Sequence, residues 1–275
     1  MASPFALHCA LVAPERAAAP AQWLVVLHGI FGSGNNWRTF ARRLVGKRPE
    51  WGAVLVDLRM HGESQGAPPP HTLGAAAADV VALVEQLRDT GHVVRGIAGH
   101  SFGGKVALAV ADDLPGELER VFVLDSDPAP DLEAMSGDRP TVKVLSLLAR
   151  LPREHESRAA FVTAVVEAGL DRGLAQWLAM NVVVDGDVHR MRLDSDAMRS
   201  LLTSYYASDL WPTADRVAGD NDMHFVLGAD SPAVSPVSKS RMKTLRAGFD
   251  EIAAAGHWLH VDAPDALLDI MARGL

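Results

Sequence analysis

Ser101 stands in the turn Gly99-His100-Ser101-Phe102-Gly103, between an apolar run from Val93 to Ala98 and an Ala/Val/Leu-rich segment reaching Ala111. The run is short enough for a buried strand, and the segment after it reads as a helix. A G-x-S-x-G turn in that context holds a serine hydroxyl clear of the sheet, beside the Phe102 N–H at a helix N-terminus. The bland alternative is a glycine-rich helix entry in which Ser101 is an N-cap and nothing more. A serine hydroxyl is a weak nucleophile until a base takes its proton, and the base needs a third group to fix its tautomer. The chemistry of such a set is acyl transfer. The chain order serine, acid, histidine puts the base after the final strand, where His257 lies in the turn Ala255-Gly256-His257. His260, three residues on, is the competitor and reads instead as a helix-entrance or surface residue. Three acids compete for the third place: Asp125 at a strand end, Asp127 two residues later, and Asp230 in Leu227-Gly228-Ala229-Asp230-Ser231-Pro232. The commoner arrangement favours Asp230, and spacing alone leaves all three open. His28, His61, Asp57 and Arg59 also sit at strand ends, and they are read as loop-fixing hydrogen bonds and an ion pair.

The elements that must position these residues alternate. Strands are expected over 5–12, 23–27, 52–56, 93–98, 120–124, 223–227 and 248–254, with an Ala/Pro connector over 13–21. Helices are expected near 37–46, 73–90, 102–111, 237–246 and 264–272, with Gly91 stopping the second and Pro264 starting the last. Strand and helix alternation at this spacing means a largely parallel sheet covered on both faces. Ligands in such sheets bind beyond the carboxyl ends of the strands, so the candidate residues share one rim. Between 129 and 211 the alternation stops. Helices are expected over 141–150, 157–168, 174–181 and 197–205, with 188–193 extended. This stretch reads as a mostly helical cap inserted into a core made of 1–128 and 212–275.

Composition narrows the partners. In 275 residues, 48% are hydrophobic, enough for a sizeable core. A net charge of −8 and the lack of a basic stripe argue against nucleic acid. No apolar run approaches the roughly 18 residues of a membrane span, and the N-terminal stretch lacks the basic start and apolar centre of a signal peptide. The single cysteine, Cys9, is read as a small buried hydrophobe, which makes the cytoplasm the default location. The eleven histidines form no cluster with Cys, Asp or Glu that would make a metal site. Neither metal nor cofactor is expected. The expected partner is a small-molecule ester, and the expected state a monomer or homodimer.

Four motifs carry a resemblance: HGIFGS (28–33), DLRMHGES (57–64), GHSFGGK (99–105) and AGHWLH (255–260). Together, in this order, they resemble the α/β-hydrolase superfamily, and within it the YbfF-like serine esterase branch. VLDSDP (123–128) and NVVVDG (181–186) match as well. The resemblance implies an α/β-hydrolase fold, with the cap inserted after the strand that the family counts as its sixth. It implies Asp125 as the acid, because that branch places a small polar residue, here Ser231, at the usual acid position. It implies an oxyanion hole from the Phe102 N–H and the Ile30 N–H, with Phe31 as the alternative donor. Pocket walls are expected from Phe31, Tyr205 and Trp258, with Trp37, Phe102, Tyr206 and Trp211 as further aromatic candidates. The reaction implied is hydrolysis of small to medium carboxylic esters. Thioesterase or lactonase chemistry on the same triad, or a silent ligand-binding homologue, are the alternatives. Five Lys/Arg against two Glu between Arg139 and Arg158 raise an acidic acyl group or an acyl-CoA as a substrate, although that run reads more simply as a solvated face.

Overall fold

The computed structural model describes residues 3–15 and 19–275, so residues 16–18 of the expected Ala/Pro connector lie outside the described residues. Strand β1 (Cys9–Val12) is followed by β2 (Gln22–Leu27), α1 (Arg38–Lys47), β3 (Trp51–Val56), α2 (Leu73–Asp89) and β4 (Val94–His100). Then come α3 (Phe102–Asp113) and β5 (Arg120–Leu124). The seven-stranded sheet runs β1-β3-β2-β4-β5 and continues into β9 (Asp222–Gly228) and β10 (Gly248–Ile252). All neighbours are parallel except β1, which lies antiparallel on β3 at the edge. β3 is buried at every position and β2 at all but its first, the continuous burial of strands covered on both faces.

The apolar spacing of the helices covers those faces. On one side Val80 and Val84 of α2 and Val106 and Val110 of α3 pack against β2, β4 and β5. On the other, Phe40 and Leu44 of α1 meet Leu267 and Met271 of α11 (Pro264–Gly274), which follows the short α10 (Leu259–Asp262). The chain runs outward from β2 to β3, then crosses back so that β4 lies on the other flank of β2. The sheet's switch point is therefore between β2 and β4. The loop after β2 and the Ser101 turn after β4 open side by side there, the place where open α/β sheets bind ligands.

Between β5 and β9 the chain leaves the sheet. It forms α4 (Pro140–Leu148), β6 (Glu154–His155), α5 (Arg158–Glu167), α6 (Arg172–Leu178), β7 (Val182–Asp185), β8 (Val188–Met191), α7 (Ser195–Ala207) and α8 (Trp211–Asp220). Two features differ from expectation. First, β6, β8 and β7 form a small antiparallel sheet, with β7 and β8 joined through Gly186-Asp187. Gly186 has φ 62 in that tight turn, a conformation that favours glycine. Second, 211–220 is helical and packs Trp211, Ala214 and Val217 into the main core. The segment outside the sheet follows β5 and ends where β9 begins. No strand precedes β1 among the described residues. The last helix before β10, α9, spans Pro236–Met242, shorter than expected.

Candidate active site

The Ser101 turn is sharp enough to put its backbone at φ 53, ψ −115, the strained geometry of a serine between strand and helix. Glycine is required on both sides. A Cβ on Gly103 would lie 2.6 Å from the His28 carbonyl oxygen, and one on Gly99 would overlap the Gly103 backbone. The Ser101 N–H donates to the Leu124 carbonyl at 2.9 Å, tying the turn to the end of β5. Its side chain caps nothing, which removes the N-cap reading.

Asp125 follows β5 with φ 46 and is 1% exposed. One carboxylate oxygen, Oδ1, accepts the Gly228 N–H at 3.1 Å. The other, Oδ2, accepts the Ser231 hydroxyl and lies 2.6 Å from His257 Nδ1. His257 is the half-buried residue at the turn after β10, and its carbonyl accepts the His100 Nε2–H at 2.7 Å. Of the three candidate acids, Asp125 alone meets His257 among the described residues. Asp127 instead accepts the Ala129 N–H at 3.0 Å and the Ser235 N–H at 3.1 Å. The Asp230 side chain is exposed. No hydrogen bond joins Ser101 and His257 in this resting arrangement, but both line the same two cavities.

His260 is not placed as a base. Its ring stacks on Trp37 with centroids 4.2 Å apart, and no acid holds it among the described residues. Burial, with the nearby charge of His257, pulls its pKa down to about 4. Burial likewise lowers His100 well below the usual range, helped by His257 and His260.

The amides on the rim divide clearly. The Phe31 N–H donates to His61 Nε2 at 3.1 Å and is therefore occupied. The Ile30 and Phe102 N–H groups have no acceptor among the described residues, and both residues line the larger cavity. His61 Nδ1–H donates to the Arg59 carbonyl at 2.9 Å, so the ring is fixed as one tautomer. His28 is fixed in the same way: Nε2 accepts the Leu58 N–H at 3.0 Å and Nδ1–H donates to the Gly29 carbonyl at 2.7 Å. Asp57 accepts the Gly34 N–H at 2.7 Å and the Glu63 N–H at 2.9 Å, and lies 3.0 Å from His8 Nδ1. Arg59 pairs with the buried Asp79 of α2 rather than with Asp57, at 2.7 and 3.1 Å.

Two cavities of about 440 and 130 Å³ meet over Ser101 and share Ile30, Pro140, Thr141, His257 and Trp258. Tyr205, Tyr206 and Phe102 wall the larger, and Phe31 and Trp37 the smaller. Trp211 lies in the core instead, with the Arg241 guanidinium 4.3 Å above its ring.

The sequence pattern described as the alpha/beta hydrolase family matches residues 24–270 of this chain. The chain belongs to the alpha/beta hydrolase family. It is 31% identical to the sn-1-specific diacylglycerol lipase ABHD11 of Xenopus laevis over 262 residues, covering 91% of this chain and 78% of that protein. It is 25% identical to Esterase YbfF of Escherichia coli (strain K12) over 261 residues, covering 92% of each. The solved structure of a marine microorganism esterase superposes with a TM-score of 0.82 at 22% identity, covering 98% of this chain and all of the other. The protein is an alpha/beta hydrolase of the esterase and lipase type. Among its described residues no helix is long and apolar enough to cross a membrane.

Within this alpha/beta hydrolase, several wall residues escaped the sequence reading. Pro140 and Thr141 at the start of α4 line both cavities, and Trp177 of α6 lies 5.9 Å from Trp258 by ring centroids. Their signal was weak, because an inserted helix shows which face is apolar but not which part of the rim it covers. Thr141 Oγ1 and the Tyr206 hydroxyl share a hydrogen bond of 2.7 Å. Of the five basic residues between Arg139 and Arg158, Arg139 lines the larger cavity, and it is paired with Asp131.

Proposed function

We propose that the protein is a serine carboxylesterase acting on small to medium uncharged carboxylic esters through an acyl-enzyme. The observation that carries this reading is the 2.6 Å contact of His257 Nδ1 with the buried Asp125, on a ring that shares two cavities with Ser101. Asp125 holds the proton on Nδ1, which leaves Nε2 as the basic nitrogen. The Ser101–His257 hydrogen bond closes over the bound ester, as resting catalytic bonds commonly do. Ser101 Oγ then attacks the carbonyl carbon while its proton passes to His257 Nε2, and Asp125 stabilises the imidazolium. The carbonyl oxygen becomes an oxyanion facing the Ile30 and Phe102 N–H groups, donors with no competing acceptor among the described residues. The C–O bond to the alcohol breaks as His257 returns the proton to the leaving oxygen. Water attacks the acyl-enzyme by the same route, releasing the carboxylic acid and restoring Ser101.

In this reading residues 129–211 act as a cap over a core of 1–128 and 212–275, and supply Tyr205, Pro140 and Thr141 to the substrate walls. Phe31 and Trp258 complete them. The preference for an uncharged ester is supported by the pairing of Arg139 with Asp131, which leaves that wall with no unpaired Lys or Arg among the described residues for a carboxylate or a phosphate. The names of the relatives, a diacylglycerol lipase and an esterase, point to the same bond type. A cytoplasmic site of action goes with the single cysteine.

The test is a chain-length series of oxygen esters and matching thioesters, together with labelling by a fluorophosphonate. Labelling at Ser101, lost in Ser101→Ala, and turnover of neutral oxygen esters ahead of thioesters are expected. A wild-type chain that neither labels nor turns over any ester would leave a ligand-binding homologue as the better reading.

A further inference from the structure

Lys105 lies one turn into α3, the helix that Ser101 precedes, and is 1% exposed. A buried ammonium has three N–H donors and no acceptor, and each donor left without a partner is costly. Here all three are matched. Nζ donates to the Ala129 carbonyl at 2.9 Å, the Tyr205 carbonyl at 2.9 Å and the Ser208 carbonyl at 2.7 Å. These carbonyls belong to two stretches far apart in sequence. Ala129 is where the chain leaves the sheet, and Tyr205 and Ser208 are where it comes back. The same stretches are laced directly, since the Asp131 N–H donates to the Tyr206 carbonyl at 2.7 Å and the Leu210 N–H to the Pro128 carbonyl at 2.9 Å.

The ammonium also lies 4.7 Å from the centroid of the Tyr205 ring, which walls the larger cavity and packs 5.9 Å from Phe102. Burial draws the lysine's pKa down to about 8 against the pull of Asp127, Asp209 and Asp131, so at neutral pH the three-donor form prevails. A methionine of similar length would leave the Ala129 and Ser208 carbonyls without a donor among the described residues, and the Tyr205 carbonyl with only the long 3.4 Å bond from the Ser208 N–H. An arginine would offer a planar fork to a convergent tripod.

We propose that Lys105 is a positioning residue: by clasping both ends of the inserted segment to the nucleophile helix, it fixes the Tyr205 wall and so the length of acyl chain the larger cavity accepts. The specificity half of this rests on the esterase reading above. The clasp itself does not.

The experiment compares wild type with Lys105→Met and Lys105→Gln. It measures kcat and KM for p-nitrophenyl acetate and p-nitrophenyl hexanoate, amide hydrogen exchange at Asp131 and Leu210, and fluorophosphonate labelling of Ser101. In Lys105→Met the hexanoate-to-acetate ratio of kcat/KM should fall about tenfold, mainly through KM, with exchange at the two amides about tenfold faster. Lys105→Gln, which keeps part of the donor set, should fall between. Folded, labelled variants with that ratio within twofold of wild type would overturn the proposal, whatever the exchange shows. If Lys105→Met does not fold, Lys105→Gln decides in the same terms. If wild type itself neither labels nor turns over ester, the esterase reading fails, and unchanged exchange in the variants would then dismiss the clasp separately.

Discussion

Around Asp57, the side chains of His8, His28, Arg59 and His61 crowd the ends of β2 and β3. Around Asp125, those of Ser101, Ser231 and His257 crowd the ends of β4, β5 and β10. Each group centres on an aspartate that accepts backbone N–H groups and lies within 3.0 Å of a histidine Nδ1. What differs is where the polar atoms point. In the Asp57 group, both carboxylate oxygens and both nitrogens of His28 and His61 are engaged by neighbouring loops. The Asp125 group keeps its carboxylate buried and saturated, yet leaves the far side of His257, the Ser101 hydroxyl and two amides facing a cavity. A polar cluster with every atom occupied fixes a fold, and one with groups left facing a cavity can do chemistry.

The strongest way to break this contrast is to make the same change in both groups. Asp125→Asn should lower kcat roughly 10,000-fold, because the amide can no longer hold the reactive histidine tautomer. Asp57→Asn should leave kcat of the folded enzyme within about threefold while costing about 1–3 kcal/mol of stability, the scale of one buried bond left unmade. Steady-state kinetics and urea unfolding on the two variants check both arms. A large kcat loss in Asp57→Asn would erase the distinction.

That contrast also marks how far the sequence was legible. The Ser101 turn and the His257 turn were readable because their glycines and the strand–helix context are local. Which aspartate meets His257 was not readable from spacing, because Asp230 and Ser231 are neighbours and the backbone of one turn decides which faces inward. Here Ser231 is buried against Asp125 and Asp230 is exposed. The choice between the Ile30 and Phe31 amides depends on His61, thirty residues away in the chain and in contact only after folding. Helix α8 falls within 206–222, where no element was expected. Pro212 falls in the helix's first turn, where a missing N–H costs nothing. The expected extended stretch 188–193 holds β8, but its partner β7 was hidden by its brevity, since four-residue strands carry little periodicity.

Acid should sharpen the comparison, because the buried histidines resist charging. Burial and the neighbouring His28 bring His61 down to about 3, and burial with His257 brings His260 down to about 4. Unfolding frees both to their ordinary value near 6.5. Near pH 5 the unfolded chain therefore binds about two more protons, so stability falls with falling pH by about 2.7 kcal/mol per pH unit from these two alone. The loss begins as pH drops below about 6.5 and continues toward the folded values. His28 and His100, also lowered, add in the same direction. Urea midpoints between pH 7 and 5 measure the slope. His61→Gln, which can still accept from Phe31 and donate to Arg59, should remove about one proton's share of it.

The buried Arg59–Asp79 pair bears on stability alone. Arg59→Met leaves the Asp79 carboxylate buried with the Phe5 N–H at 2.6 Å as its remaining partner. Breaking such a pair from one side costs about 3–5 kcal/mol. The thermal midpoint should drop while kcat at 20 °C stays within about twofold.

The smallest expected effect tests the oxyanion side of the site. Ile30 is 6% exposed and packs into the core, so Ile30→Val removes one buried methyl group and should cost about 0.5–1.5 kcal/mol. Its assigned chemical part lies in the N–H, which every residue except proline carries. The kcat for a short ester should therefore move less than twofold, although the residue lines both cavities beside Ser101. Valine and isoleucine are both β-branched and hold similar backbone angles, so the amide keeps its direction. A tenfold fall in kcat with an unchanged thermal midpoint would mean that the side chain itself shapes the reacting geometry, and the division between backbone donors and apolar packing on this rim would have to be redrawn.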